Sequence, residues 1–376
     1  MDDPTQVPPG DSGPTGGPFP SLGDGPVMPA ASDSEIERAL RGLWIWFVIV
    51  GLALVASVWF GEGELGLLAA AGGMFAVAHA VDRVPRLRLL HHFLAGIVTL
   101  GGTLLCIAIA RFLQTSPLSP LERRAGVAIS VVAAGGSAVL FYQPVADALV
   151  RALFRGATST HVTRLAARMV TLAFLVAGPL WVTFRAMLQL DMLNDMDLGG
   201  GSVWGSLIGL TLLSLGGVGA FVRRSPHEAL TRLGLGAFTT RDLAWVPVGV
   251  AALTGLNSGI EWAQRSWFPA QWAFDQRVVV LMAGRLSRLE TVLLGVSAGF
   301  GEELSMRGAL QPRLGLALTA LLFAALHVQY SWTGMSTIVL FGLALGFVRM
   351  RSSTTTAIVI HAIYDIIAAA GAQQTH

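Results

Sequence analysis

Residues 43–60 read LWIWFVIVGLALVASVWF, a run without a single charged side chain. A helix rising about 1.5 Å per residue needs about 20 apolar residues to cross roughly 30 Å of hydrocarbon, so this stretch predicts a membrane span. Working outward, similar runs recur at about 65–81, 92–113, 125–142, 169–188, 203–222 and 243–260, then somewhere within 278–304, and at 315–330, 334–348 and 354–372. Composition agrees: 53% of the 376 residues are hydrophobic and 13% charged, with 44 glycines and a mean hydropathy of +0.63. That balance excludes an ordinary soluble domain. The expectation is an all-α, polytopic transmembrane helix bundle of about 11 spans, within a range of 9–13.

All 25 basic residues are arginine, and seven of the 23 acidic ones (Asp2, Asp3, Asp11, Asp24, Asp33, Glu35 and Glu37) fall within the first 37 positions. The rest of the chain sets 25 arginines against 16 acids. Placed in short loops between apolar runs, those arginines act as topology determinants, and no nucleic-acid partner is expected. Residues 1–37 also hold eight of the 17 prolines, too little apolar surface to offset the entropy of ordering, so a disordered tail is expected there, a candidate docking segment for a protein partner. It is not a signal peptide, because acids precede the first apolar run and no small-residue cleavage site follows a short one. The single cysteine, Cys106, lies inside an apolar run, which rules out a disulfide framework and a cysteine metal site.

With the tail inside, the inner loops carry Arg38 and Arg41, Arg83 to Arg88, Arg151 to Arg168, Arg223 to Arg241, Arg307 and Arg313, and Arg349 and Arg351, whereas the outer segments 61–64, 189–202 and 331–333 carry none. Two segments run against this, one with Arg111, Arg123 and Arg124, the other with Arg265, Arg277, Arg285 and Arg288. The second, bearing Trp262, Trp267 and Trp272, reads as an amphipathic helix lying in the interface. The lysine-free, Ala/Gly/Arg-rich composition points to a GC-rich bacterial genome, hence to a bacterial inner membrane with the N-terminus cytoplasmic.

Function has to come from polar groups within the apolar C-terminal third, since an ionisable side chain inside a span costs several kcal/mol and persists when paired or useful. Five stand out: Glu302 and Glu303 in GFGEELSMRGAL, His327 in LLFAALHVQYSW, and His361 and Asp365 in AIVIHAIYDIIAAA. Glu303 and Arg307 lie four apart, as do His361 and Asp365, so each pair shares a helical face. A carboxylate beside an arginine keeps its charge and one rotamer, which makes Glu303 an orienting residue, while Glu302 points about 100° away. Three helices offering polar groups at similar depth would converge on a pocket able to hold a water.

Plainer roles stand beside these. Glu303 with Arg307 is also what a purely structural buried pair looks like, a lone His327 is ordinarily a hydrogen-bonded packing residue, and His361 with Asp365 would serve to staple two helices. Phe323 reads as packing beneath the site. Asp191, Asp195 and Asp197 lack the glycine and terminal Glu of a calcium loop and read as a solvated outer loop. His79, His91 and His92 read as interfacial, and the glycines of 199–201 as a flexible turn.

The segments Glu302 to Arg307, Phe323 to His327 and His361 to Asp365 resemble the three ordered motifs of the CPBP family of intramembrane proteases, which includes type II CAAX prenyl endopeptidases and bacteriocin-processing or immunity proteins. Its pattern is a Glu-Glu pair with Arg four after the second Glu, Phe with His four later, and His with Asn or Asp four later. All three occur here in order within about 65 residues. The resemblance covers roughly residues 200–372, and divides the chain into N-terminal transmembrane helices of unassigned role (38–200) and a protease core (201–376). It implies an intramembrane endopeptidase hydrolysing a peptide or protein substrate, in which Glu302 and His327 activate a water and His361 and Asp365 stabilise the oxyanion.

Asp365 stands where prenyl-endopeptidase members have Asn. An ionised carboxylate cannot donate to an oxyanion, so Asp365 is protonated, anchors an imidazolium at His361, or binds a metal. The family has been read both as metallo- and as metal-free glutamate proteases. Zinc or manganese on Glu302, His327, His361 and Asp365 is compatible with the donor types, although no HExxH is present. Two other classes fit the buried polar groups: a membrane transporter, for which no second half carries matching breaks, and a non-catalytic scaffold or immunity protein. The expected substrate is a peptide, leader or protein terminus delivered at the inner face amid membrane lipid, with no prenyl group required.

Overall fold

A computed structural model describes residues 32–154, 156–190, 192, 203–236, 238–284 and 286–374. Most of the expected tail lies outside these, as do Asp191, Asp195, Asp197 and residues 199–201. The tail ends earlier than composition predicts, because α1 (Asp33–Phe60) begins inside it. The Ser32 hydroxyl accepts from the Glu35 amide, and the Glu35 carboxylate accepts in return from the Ser32 amide. This capping box satisfies two otherwise orphaned donors and draws Asp33 to Glu37 into the helix. Gly61, at φ 74°, ends it in the left-handed conformation.

The chain continues through α2 (Gly63–Val81), a 3-10 turn (Pro85–Leu87), α3 (Arg88–Gln114), α4 (Pro120–Val139), α5 (Gln143–Leu153), α6 (His161–Gln189), α7 (Val203–Val218), α8 (Pro226–Arg232), α9 (Thr240–Trp267), α10 (Pro269–Ala283) and α11 (Arg288–Glu303). A π-helical turn (Leu304–Leu310) joins α11 to α12 (Gln311–Leu314), and α13 (Leu316–Ala325), α14 (Trp332–Arg351) and α15 (Thr354–Gln374) complete the bundle. The protein is all-α: helix accounts for 85% of the described residues and no strand forms among them.

The expected count of about eleven spans is not confirmed among the described residues. Among the described residues seven helices (α1, α2, α3, α6, α9, α14 and α15) are long and apolar enough to cross a bilayer, or eight elements if α4 and α5, bent by 103°, act as one broken span. The remaining apolar runs are helical but short: α7 has 16 residues and α13 has 10. Short helices survive at membrane depth when neighbours cover their ends, and apolarity alone does not distinguish them from spans. The outer surface is that of a lipid-facing protein, with Val58 85% and Trp59 82% exposed.

Two further expectations change. His79 and His91 are buried rather than interfacial. The His79 Nε2 lies 3.1 Å from the Gly217 carbonyl and the His91 ring meets His161 edge-on at 5.1 Å, whereas His92 is exposed. The segment around 261–288 is two helices meeting at Phe268 rather than one interfacial helix. Trp262 and Trp267 remain exposed there, and Arg265 lies over the Trp272 ring at 4.6 Å.

Glycines set the closest crossings. A Cβ on Gly216 of α7 would meet the Gly72 carbonyl oxygen of α2 at 2.2 Å. On α11, a Cβ on Gly295 would lie 2.7 Å from the Ala362 oxygen and one on Gly299 2.6 Å from the Ala362 nitrogen of α15. Such spacing is the small-residue contact by which membrane helices bring their backbones together.

Candidate active site

Gly295, Gly299 and Glu303 follow one another at four-residue steps, so the stripe that lets α11 touch α15 ends in a carboxylate. Opposite it stands His361. Its Nδ1 lies 2.9 Å from Glu303 Oε1, and its Nε2 lies 3.3 Å from Asp365 Oδ2 one turn along α15. The other Glu303 oxygen pairs with Arg307 Nε at 3.0 Å, an ion pair away from linear hydrogen-bond geometry. Arg307 sits within the π-helical turn, where the Gln311 amide reaches back to Met306 O; widened turns of this kind occur frequently at functional sites. Its Nη2 donates to Gly342 O at 3.3 Å, and its guanidinium lies over the Phe323 ring at 4.7 Å. Phe323 in turn presents its ring to His327 at 4.6 Å and to His361 at 6.2 Å. An unbroken chain Arg307, Glu303, His361, Asp365 thus crosses from α11 to α15 around Phe323.

Glu302 points away from that chain, with its Oε1 4.0 Å from His327 Nε2. The exposures separate the two neighbouring carboxylates: the Glu302 side chain is 26% exposed and that of His327 18%, whereas Glu303 is 0% and Arg307 1% exposed. Of these two carboxylates, it is Glu302 that can meet a water. His327 Nδ1 is 2.7 Å from the Phe323 carbonyl, which can only accept, so Nδ1 carries the proton. In a neutral ring Nε2 is then an acceptor, and it faces the Glu302 carboxylate, a second acceptor. His361 differs: both its nitrogens face carboxylates, and only a doubly protonated ring donates to both.

The turn carrying His327 is pinned from outside. The Tyr330 amide donates to His327 O at 3.3 Å and Trp181 Nε1 donates to Tyr330 O at 3.0 Å. Buried Asp275 of α10 accepts from the Ser331 amide at 2.6 Å and from its hydroxyl at 2.8 Å. Asp275, Trp181 and Tyr330 escape a reading of the sequence. Ser331 carries the one legible signal, an N-cap residue directly before α14, whose hydroxyl accepts from the Gly334 amide at 3.2 Å.

The residues expected as metal ligands do not surround a common point. Among the described residues no three His, Cys, Asp or Glu side chains are gathered as a metal site, and each His361 nitrogen is turned to its own carboxylate. The arrangement does not fit zinc or manganese.

Residues 285–367 match the sequence model of a family described as type II CAAX prenyl endopeptidase Rce1-like. That stretch holds Glu302, Glu303, Arg307, Phe323, His327, His361 and Asp365. Over 88 residues the chain is 31% identical to "Uncharacterized protein YpbD" of Bacillus subtilis (strain 168), a match covering 23% of this chain and 45% of that protein. The chain therefore spans about half the length of the curated relative it matches. No solved structure matches at a significant level.

Proposed function

We propose, from the premise that residues 285–367 form an Rce1-like segment, that the chain is an intramembrane endopeptidase of the glutamate type, with Glu302 as general base. The observation that carries this reading is the pair of acceptors, Glu302 Oε1 and His327 Nε2, facing each other across 4.0 Å with both side chains partly exposed. A water donating one hydrogen to each satisfies both, and its oxygen is then free to attack. As the oxygen–carbon bond forms, the water's proton passes to Glu302 and the carbonyl oxygen becomes an oxyanion. When the carbon–nitrogen bond breaks, Glu302 returns that proton to the leaving amine. His361, held as imidazolium between Glu303 and Asp365, supplies positive charge close to the developing oxyanion, and Arg307 fixes Glu303 in place as its ion-pair partner. No step is routed through a metal.

The substrate on this reading is a peptide, leader or protein terminus reaching the site from the cytoplasmic face of a bacterial inner membrane. The arginine-rich connections lie on that face, the protease core is 201–376, and the tail preceding α1 is a docking segment for a protein partner. The deciding experiment is cleavage of a quenched peptide library by the purified protein in nanodiscs, wild type against Glu302→Gln. Loss of a general base lowers the rate by about 10² to 10⁴. Equal cleavage by the variant, or none by the wild type, refutes the reading.

A further inference from the structure

Arg111, Arg123 and Arg124 belong to a segment that runs against the arginine distribution of the other loops. Arg111 lies in the last turn of α3, and Arg123 and Arg124 in the first turn of α4. The two helices are antiparallel: the Thr103 hydroxyl lies 3.5 Å from Ala134 O, and a Cβ on Gly126 would lie 2.9 Å from the Leu113 side chain. That crossing brings the end of α3 bearing Arg111 beside the end of α4 bearing Arg123 and Arg124. Among the described residues the three guanidinium groups make no ion pair or hydrogen bond. Glu122, the acid next to them in the chain, is engaged in the α4 cap, accepting from the Ser119 amide at 3.2 Å and its hydroxyl at 2.6 Å.

From these arginines a groove of about 440 Å³ runs between the two helices. Ile107 and Ala110 of α3 form one wall, and Val131, Ala134, Gly135 and Ala138 of α4 the other, while Arg111 and Gln114 line its end. Arg124 stands on the same face of α4 as Val131, Gly135 and Ala138, at steps of seven, four and three residues. Between Thr103 and Gln114 the groove follows α3 for about 16 Å, the depth of one leaflet in a hydrocarbon core roughly 30 Å thick. Its walls are open, with Ile107 47% and Val131 59% exposed, and nothing stands within 4 Å of a Cβ built on Gly135.

We propose that the groove between α3 and α4 binds one anionic phospholipid, its acyl chain lying between Ile107 and Gly135 and its phosphate held by Arg111, Arg124 and the Gln114 amide. The chemistry at the two ends selects this occupant. An apolar helix would cover the walls and leave the arginines without an anion, and a soluble anion would leave the walls bare. A guanidinium offers phosphate two parallel N–H donors, and a cation near the bilayer surface attracts anionic lipid. The lipid supplies the charge that the protein does not, which accounts for arginines at this end of the bundle. The site lies outside the motif helices and is independent of the endopeptidase reading.

The test is native mass spectrometry of the full chain released from nanodiscs holding equal amounts of phosphatidylglycerol and phosphatidylcholine with the same acyl chains. Wild type is expected to retain one phosphatidylglycerol in preference to phosphatidylcholine. Arg111→Gln should lower that retention about fivefold, and the double variant with Arg124→Gln about 25-fold, with phosphatidylcholine unaffected. Gly135→Leu fills the groove without meeting a neighbouring atom at its Cβ and improves helix propensity. It should lower retention of both lipids while the unfolding temperature in detergent holds or rises. Equal retention of the two lipids by wild type overturns the proposal, as does a phosphatidylglycerol preference unchanged in the double variant. Should that variant not fold, the wild-type preference and Gly135→Leu decide. Displacement of phosphatidylglycerol by millimolar inorganic phosphate assigns the arginines to a soluble anion, and a dimer that Gly135→Leu dissociates assigns the groove to a second copy. Either result overturns the proposal.

Discussion

His361 and Glu303 are 58 residues apart in the chain, yet Nδ1 and Oε1 meet at 2.9 Å. They do so one turn beyond the point where Gly299 of α11 rests on the Ala362 backbone of α15. The contact depends on two helices approaching without side chains between them.

Gly299→Ala tests that dependence. The added methyl would lie 2.6 Å from a backbone nitrogen, so α15 must move away rather than a side chain rotate. Overpacking of this kind costs about 1–3 kcal/mol, and the shift carries His361 away from Glu303. We expect a lower unfolding temperature together with a large loss of cleavage. Full activity in a folded Gly299→Ala protein would show that the approach is not needed.

Arg307→Ala leaves Glu303 buried with His361 as its remaining charged partner. Breaking a buried pair from one side costs on the order of 3–5 kcal/mol, so folded yield in detergent should fall before specific activity does. Thermal stability equal to wild type would contradict the pairing.

Chelation addresses the metal question. With the candidate ligands turned to separate partners, prolonged EDTA treatment is expected to leave cleavage unchanged. Activity lost to EDTA and restored by zinc or manganese would show that the site rearranges around an ion.

Asp365→Asn keeps shape and removes the charge that holds His361 Nε2. Hydrogen bonds to charged groups are worth about 1.5–3 kcal/mol, so a loss of about 10- to 100-fold in kcat is expected. Undiminished activity would identify Asp365 as a protonated donor instead of an anchor.

The α8 cap supplies a pH test outside the spans. Glu228 is held below the ordinary carboxylate range by the bond it accepts from the Ser225 amide, and secondarily by the Ser225 hydroxyl. A depressed folded pKa contributes stability above the unfolded value, near 4.3 for Glu, and loses it as the pH falls through the folded one. The unfolding temperature of wild type should therefore exceed that of Glu228→Gln at pH 7, and the gap should close as the pH falls toward 3. A gap that persists unchanged in acid would assign it to packing.

The segments that form helices were legible because their apolar runs are long and uninterrupted, and the three polar motifs because ionisable residues are conspicuous in such runs. Span number was not legible: a 10-residue helix such as α13 looks like part of a span until its neighbours are known. The Gly295 and Gly299 stripe is visible in the sequence as a small-residue repeat leading to Glu303, but its partner on α15 is not. His79 and His91 looked interfacial beside three arginines, and only the fold shows the former turned to Gly217 and the latter to His161. Tyr330 and Asp275 carry no local signal, since their roles arise from the meeting of α10, α6 and the turn before α14.

The order of the site's parts along the chain bears on biogenesis. α11 is synthesised before α15, so Glu303 is made 58 residues ahead of its histidine partner. Arg307, four residues on, accompanies it from the start and pairs with it within the same helix. The carboxylate can therefore be inserted as an internally neutralised unit, and on the proposed endopeptidase function hydrolytic competence is deferred until α15 docks.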